Sequence, residues 1–212
     1  MFLEEAVFRL SRDHIARPDF AFRYAGGTIV DELTTPPLLI DGINVPGNPP
    51  SVALDDDIRI GGCWLTQVPS QLGISLAARV RISHITIDHL AKELALSAAR
   101  TLQAPREVIV WGVVDSNNSR ELEALKADLY GLIRPIEGST PSITGGLATL
   151  PISFLSYNIS HSDNVQTFPV FEPILRGRVS FSQVIVEVRS NWGHELTCLY
   201  RVRVHGELEV QP

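Results

Sequence analysis

Near the end of the chain, in Leu199-Tyr200-Arg201-Val202-Arg203-Val204-His205, apolar and basic side chains alternate one for one. Successive side chains of an extended strand point to opposite faces, so such an alternation makes two chemically distinct surfaces only in a strand. The segment therefore predicts a half-buried strand, valines inward and basic residues toward water. Residues 106–114 (REVIVWGVV) and 178–188 are likewise rich in β-branched and aromatic residues, which suit a pleated surface. Clusters of Gly, Pro and Asn separate these runs. Several short strands with that punctuation predict a mainly β chain, a compact jelly-roll-like β-sandwich rather than a parallel α/β sheet.

Three segments depart from the strand pattern. Residues 1–14 predict a helix, with Leu3, Val7 and Leu10 in 4,3 spacing and Glu4, Glu5, Arg9 and Arg12 elsewhere. About two heptads are fewer than a coiled coil needs, so a helix packed on its own domain and the end of a stalk both stand. Arg17-Pro18 ends it, because proline disfavours helical geometry in the residue before it. Residues 1–16 are thus assigned to this helix and 17–212 to the sandwich. Residues 34–50 carry two apolar runs, Leu38-Leu39-Ile40 and Ile43-Asn44-Val45, around Asp41-Gly42. That is a type I′ hairpin signal, and the flanking prolines make it an excursion from the main sheet. Residues 116–150 read as an insertion. It opens with a helix capped by Asn118, with Glu121 at N3 and Leu122, Leu125 and Leu129 on one face. It then runs into a flexible loop, EGSTPSITGG.

The net charge of −6 at pH 7 argues against a nucleic-acid footprint and against an anionic membrane surface as direct partner. No apolar run approaches the roughly 18 residues of a membrane span, and the first residues lack the make-up of a signal peptide. A luminal or secreted protein would therefore need more chain than this. Cys63 and Cys198 read either as two buried thiols or as one bridge closing a loop of roughly 135 residues, for which the chain-entropy model gives ~4–5 kcal/mol. Catalytic templates are absent: no G-x-S-x-G, Walker lysine loop, H-E-x-x-H or C-x-x-C. The histidines are scattered, and Ser160-His161-Ser162-Asp163 is a polar loop. Asp55-Asp56-Asp57 lacks the ligand periodicity of an EF-hand. Two sequons, Asn117-Asn118-Ser119 and Asn158-Ile159-Ser160, matter only in a secretory lumen.

The stretch Ser190-Asn191-Trp192-Gly193-His194, followed by Thr197-Cys198-Leu199-Tyr200-Arg201 and Arg203-Val204-His205-Gly206, resembles the ending of a SUN domain, where NWGH precedes TCLYRFRVHG. Upstream, Arg17-Pro18-Asp19-Phe20-Ala21 with Gly26-Gly27 resembles that family's opening. Gly61-Gly62-Cys63-Trp64 is similar to its GNCW, Thr86 to Lys92 to its TLEHIPK, and Ala104-Pro105-Arg106-Glu107 to its APKDF. Gln166-Thr167-Phe168 matches a further position. The resemblance implies a β-sandwich that trimerises on a helical stalk. It implies a place in the perinuclear space, as the luminal domain of an inner-nuclear-membrane protein whose transmembrane segment is absent from this chain. The partner implied is the C-terminal peptide of a KASH protein, so that the domain acts as an adaptor and not as an enzyme.

The same resemblance assigns residues. Cys63 and Cys198 take the positions of an intradomain disulfide. Val52, Asp55, Asp57, Gly62 and Tyr200 take those of a loop that holds a potassium ion largely through carbonyls. The peptide contacts implied are His89, Tyr200, Gln103 and Leu196, with Ile40 and Ile43 in a lid-like hairpin that adds the peptide as a strand. Gln103 and Leu196 stand where the family has a serine and a tyrosine that hold the peptide's carboxylate. Leucine donates no hydrogen bond, so that clamp is altered here. The cysteine that vertebrate members carry near Thr34 is missing, and the chain reads as a divergent, fungal-like member. A jelly-roll module for carbohydrate or another luminal ligand is the alternative, since such sandwiches host many functions. A hydrolase ranks last.

Overall fold

A computed structural model describes residues 16–209 except 37, 41–42, 45–46, 92–93, 96, 115–124, 126–128, 130–140 and 178. The helix expected over 1–14, the Asp41-Gly42 turn and the start of the insertion's helix, with Asn118, Glu121 and Leu122, lie outside the described residues.

One strand organises the rest. β5 (Ser70–Asp88) is 19 residues long and takes part in two layers. Its first half lies between β1 (Thr28–Ile29) and β9 (Phe181–Asn191), with Ile74 opposite both Ile29 and Val184. Its second half lies between β8 (Val165–Pro169) and β11 (Arg201–Leu208), with Ile87 opposite both Gln166 and Val202. The register slips between Ser75 and Val80, the irregularity at which a strand bends from one layer into the other. The first layer continues from β9 to β6 (Pro105–Val113) and β7 (Thr149–Ser156), all antiparallel. Ile85, Ile87, Val108, Val110, Val184, Val186, Val202 and Val204 are completely buried; burying a side chain of this size contributes about 1.5–3 kcal/mol. The result is the mainly β, jelly-roll-like sandwich expected from the strand pattern.

Two smaller ladders stand off the main sheet. β4 (Trp64–Thr66) pairs with β10 (Thr197–Leu199), and Cys198 lies opposite Leu65. β2 (Leu39–Ile40) pairs with β3 (Ile43–Asn44), Ile40 opposite Ile43. That register matches the two-residue hairpin read from the sequence. Short helices fill the connections: α1 (Ala98–Leu102), α2 (Glu172–Gly177) and a 3-10 turn at Pro50–Leu54.

The half-buried strand expected at Leu199–His205 is buried on both faces: Arg201, Arg203 and His205 are only 4%, 2% and 1% exposed. The segment Pro18–Phe22 covers the face that should have met water. Phe20 N donates to Val204 O, and Ala77 N to Phe20 O, both at 2.8 Å. Each basic residue finds a partner, in that segment or on β5. Arg201 Nη2 donates to Asp19 Oδ2 at 3.0 Å, and Arg203 pairs with Asp88 through Nε at 3.0 Å and through Nη2. His205 Nδ1 lies 2.8 Å from Pro18 O, and its Nε2 lies 2.8 Å from Thr86 Oγ1. A carbonyl only accepts, so Nδ1 carries the proton and Thr86 donates to Nε2. Alternation told the periodicity correctly, but could not tell that the polar face had its own cover.

The insertion closes the other layer. Leu125 and Leu129, helical as expected, are buried in the main core, and a Cβ on Gly177 would fall 2.7 Å from Leu125. The last part of EGSTPSITGG is anchored rather than free. Gln71, completely buried, donates to Ile143 O at 2.6 Å and accepts from Ile143 N at 3.0 Å and Ser142 Oγ at 3.1 Å.

Candidate functional site

The β4–β10 ladder, α1 and the turns at Asn48 and Gly61 line a cleft of about 700 Å³. Its floor is built by covalent and hydrogen-bonded ties. Cys63 and Cys198 form a disulfide with a Cα–Cα distance of 5.5 Å, locking the start of β4 onto β10. Cys198 N donates to Gln103 O at 2.9 Å, fixing the end of α1 against the same strand. The approach to β10 is a self-closed turn. Asn191 Oδ1 accepts from Gly193 N at 2.9 Å and His194 N at 3.1 Å, and Asn191 Nδ2 donates to His194 O at 2.8 Å. His194 Nδ1 then accepts from Leu196 N at 3.1 Å. Gly193 sits at φ 107°, a left-handed conformation that glycine adopts without steric cost. Trp192 anchors the turn by donating Nε1 to Tyr157 O at 3.0 Å, under the Arg106 guanidinium.

Asn48, Ser97, Arg100, Gln103 and Tyr200 line the cleft together with the disulfide. Among the described residues that line it, Arg100 is the only charged one. A second cleft of about 250 Å³ shares Gly47, Asn48 and Leu65 with the first and extends past Trp64 to Thr35 and Leu38, at the foot of the β2–β3 hairpin. The two clefts lie side by side across these shared residues, between α1 and the hairpin, and are together called the groove. Asn48 stiffens the junction by donating to Gly61 O at 2.6 Å and Cys63 O at 3.0 Å. A separate cleft of about 510 Å³ lies between β5, β11 and α2, lined by Arg17, Arg81, His84 and Leu175 among others, and contains none of the residues expected to act.

The expected contacts divide. Gln103 and Tyr200 lie in the groove. Leu196 is half-buried in the turn before β10 and does not line it. Ile40 and Ile43 pair through their backbones at the hairpin beyond the groove's foot. His89, 4% exposed, sits behind Tyr200, the two rings edge to face at 5.0 Å. It lines a small hollow with Thr101, Tyr157 and Asn164. Its backbone is pinned twice to Asn164, His89 N donating to Asn164 O at 3.0 Å and Asn164 Nδ2 to His89 O at 2.7 Å. Burial pushes the His89 imidazole down to about 4, partly offset by the Leu90 carbonyl. The ring is therefore neutral at pH 7 and supports Tyr200 from behind.

The loop expected to hold a cation folds tightly. Val52 O accepts from Asp55 N at 3.1 Å, and the Asp55 carboxylate is taken by Arg23 Nε at 2.6 Å. Asp57 and Arg59 pair in the open at 3.1 Å. The main-chain oxygens of Arg59 and Asp57 gather around Gly62, 3.1 and 3.3 Å from where a Cβ would stand, and Ile58 packs on the Cys63–Cys198–Tyr200 cluster. Among the described residues no group of three His, Cys, Asp or Glu is placed to hold a metal. The donor chemistry offered is main-chain carbonyl, which fits a hard, weakly held cation rather than zinc.

Two features were not found from sequence. Arg100 gives no local signal, lying in an unremarkable AARTL helix. Asp19 is the hub of a buried network, Oδ1 accepting from Ala21 N at 3.0 Å and Val204 N at 3.2 Å while Oδ2 takes Arg201. Burial raises its carboxyl above the ordinary range, with Arg201 opposing the rise.

Comparison with known proteins bears on the fold and on the family. Among solved structures, a family 32 carbohydrate-binding module of Streptococcus pneumoniae EndoD superposes with TM-score 0.56 at 13% identity, over 89% of this chain and 99% of that one. Allantoicase of Saccharomyces cerevisiae gives TM-score 0.52 at 11% identity, over 97% of this chain and 53% of that one. A binding module and an enzyme on one scaffold show that the fold alone does not decide function. Among curated sequences, mouse SUN domain-containing protein 5 is 29% identical over 92% of this chain and 46% of its own length. Mouse SUN domain-containing protein 2 is 27% identical over 97% of this chain and 25% of its own, and Drosophila melanogaster Klaroid protein 27% over 89% and 17%. The chain thus spans less than half the length of these relatives. Residues 43–128 and 152–208 match the Sad1/UNC-like C-terminal family, and with most of the described sandwich inside that match the chain belongs to the SUN-domain family.

Proposed function

We propose that this domain is the peptide-capturing end of a nuclear-envelope bridging protein, facing the perinuclear space and working as a homotrimer. Its ligand is the C-terminal peptide of a KASH partner, laid along the groove from the β2–β3 hairpin to α1. The observation that carries the reading is the groove itself. In a chain of net charge −6 the described residues that line it include Arg100 and no acidic residue, a setting that favours a ligand ending in a carboxylate. The hairpin at the other end offers backbone for strand addition, the mode in which main-chain hydrogen bonds supply affinity and pockets supply specificity. Arg100 then does the work that Gln103 and Leu196 no longer share, and Tyr200, backed by His89, forms the wall. A potassium-like ion held by the carbonyls near Gly62 would stiffen the loop beside Cys63.

The carbohydrate reading draws on the fold, but sugar sites rely on exposed aromatic faces. Among the described residues Tyr24 and Phe154 are the exposed aromatics, and neither lines the groove.

Light scattering after size exclusion, combined with titration of C-terminal KASH peptides carrying free or amidated ends, tests the reading. A trimer that binds the free-ended peptide and releases the amidated one supports it. A chain indifferent to every peptide, whatever its oligomeric state, overturns it.

A further inference from the structure

The sequon Asn158-Ile159-Ser160 plays no part in the groove, and its setting is specific. It forms the turn that leaves β7 and leads to β8. Asn158 and Ser160 are exposed, while Ile159 between them tucks against the core. The backbone is held without using the acceptor group: Asn158 N donates to Gln166 Oε1 at 3.0 Å, and Gln166 Nε2 donates to Asn158 O at 2.8 Å. The side-chain oxygen accepts from Ser160 N at 2.8 Å, and the amide nitrogen of this exposed side chain makes no hydrogen bond among the described residues. The neighbours His161, Ser162 and Asp163 are exposed and polar, so a bulky hydrophilic substituent displaces no packed side chain.

We infer that Asn158 carries an N-linked glycan; the inference rests on the luminal placement proposed above. In the transfer, Asn158 Nδ2 attacks C1 of an oligosaccharide carried on a polyprenyl pyrophosphate. The N–C1 bond forms, the C1–O bond to the pyrophosphate breaks, and the amide gives up one proton; nothing is oxidised or reduced. The substituent meets the requirement for a sequon in a secreted fold, an exposed loop with room outside it. It also has a physical consequence. β7 ends the strand path of the first layer, and Phe154 on it is 40% exposed. Phe171 N already takes the Ile152 carbonyl of this edge at 2.8 Å; a glycan at the strand's end shields the stretch beyond it from pairing with another chain and marks this face as one that does not pack in the trimer.

The test is expression of the full protein in eukaryotic cells, in an Asn117→Gln background so that Asn158 is the one sequon read within residues 1–212. Intact microsomes are treated with protease, and the protected domain with peptide N-glycosidase. A protected domain that drops by one step in mass, a step lost in Asn158→Gln and Ser160→Ala but kept in Ser160→Thr, is the result expected. A protected domain with no step overturns the glycan while leaving the luminal reading intact. A domain digested in intact microsomes overturns both.

Discussion

Replacing Asp19 by alanine removes three hydrogen bonds at a site that water does not reach. Its side chain is 1% exposed and that of its partner Arg201 5%. Breaking a buried ion pair from one side costs about 3–5 kcal/mol, and less here, because Arg201 keeps its electrostatic interaction with Asp88. The amides of Ala21 and Val204 lose their acceptor as well, and an unsatisfied buried donor costs about 1–3 kcal/mol. Water entering the space left by the carboxylate offsets part of this. A net loss of about 4 kcal/mol is expected, a large share of the 5–15 kcal/mol typical of a domain. Asp19→Asn with Arg201→Met makes the contrast, since it removes both charges but keeps an oxygen for the two amides. It should remain within about 1–2 kcal/mol of the parent. Urea unfolding followed by tryptophan fluorescence reads both, as a shift in midpoint at constant slope. An Asp19→Ala variant losing under about 1 kcal/mol, or a double variant losing as much as the single, would refute the view that Pro18–Phe22 is a dry cover over β11.

The buried titratable groups pull in opposite directions as pH falls. Burial holds the imidazoles of His89 and His205 down to about 4, below the 6.5 of an unfolded chain, so their contribution to stability is full above about pH 7 and falls as pH drops from about 6.5 to 4, by ~2 kcal/mol per histidine at pH 5. Burial pushes the Asp88 carboxyl up to about 7 and raises that of Asp19, so these two take up protons in the folded state and add stability over the same window. Urea midpoints of the parent should therefore change little from pH 7.5 to 5, while the stability of His205→Gln relative to the parent should rise by ~2 kcal/mol over that range; a constant difference between the two would refute the role given to His205. Reducing the Cys63–Cys198 bridge, which spans 135 residues of chain, should cost up to about 4–5 kcal/mol, measured as a denaturant midpoint with and without reductant; an unchanged midpoint would mean that the bridge constrains nothing. Arg100→Gln should weaken binding of a free-ended peptide about tenfold or more, the value of a charge-assisted bond of ~1.5–3 kcal/mol. It should leave the amidated peptide unaffected and the melting temperature unchanged.

Much of the fold could be read from the chain because strand periodicity and turn chemistry are local. The Asp-Gly signal gave the β2–β3 register, and the β-branched runs gave β6, β9 and β11. The outer cover of β11 could not be read, because nothing in Arg-Val-Arg-Val says whether water or Asp19 faces the arginines; that depends on a contact 182 residues away. The site was legible only by resemblance. Cys63, Cys198, Tyr200 and Gln103 meet around one cleft, and their types and spacing alone would not have brought them together. Arg100 stayed hidden because a lone arginine in a short helix looks like surface. The resemblance makes His89 a peptide contact, and only the fold tells that its ring packs against those of Tyr157 and Tyr200.

Backbone hydrogen exchange with and without a saturating free-ended KASH peptide reads out where the ligand lies. Exchange should slow at residues 39–44 and 98–103, the two ends of the groove, with residues 17 and 81–84 unchanged. Protection confined to the cleft around Arg17, Arg81 and His84, or none anywhere, would contradict that placement.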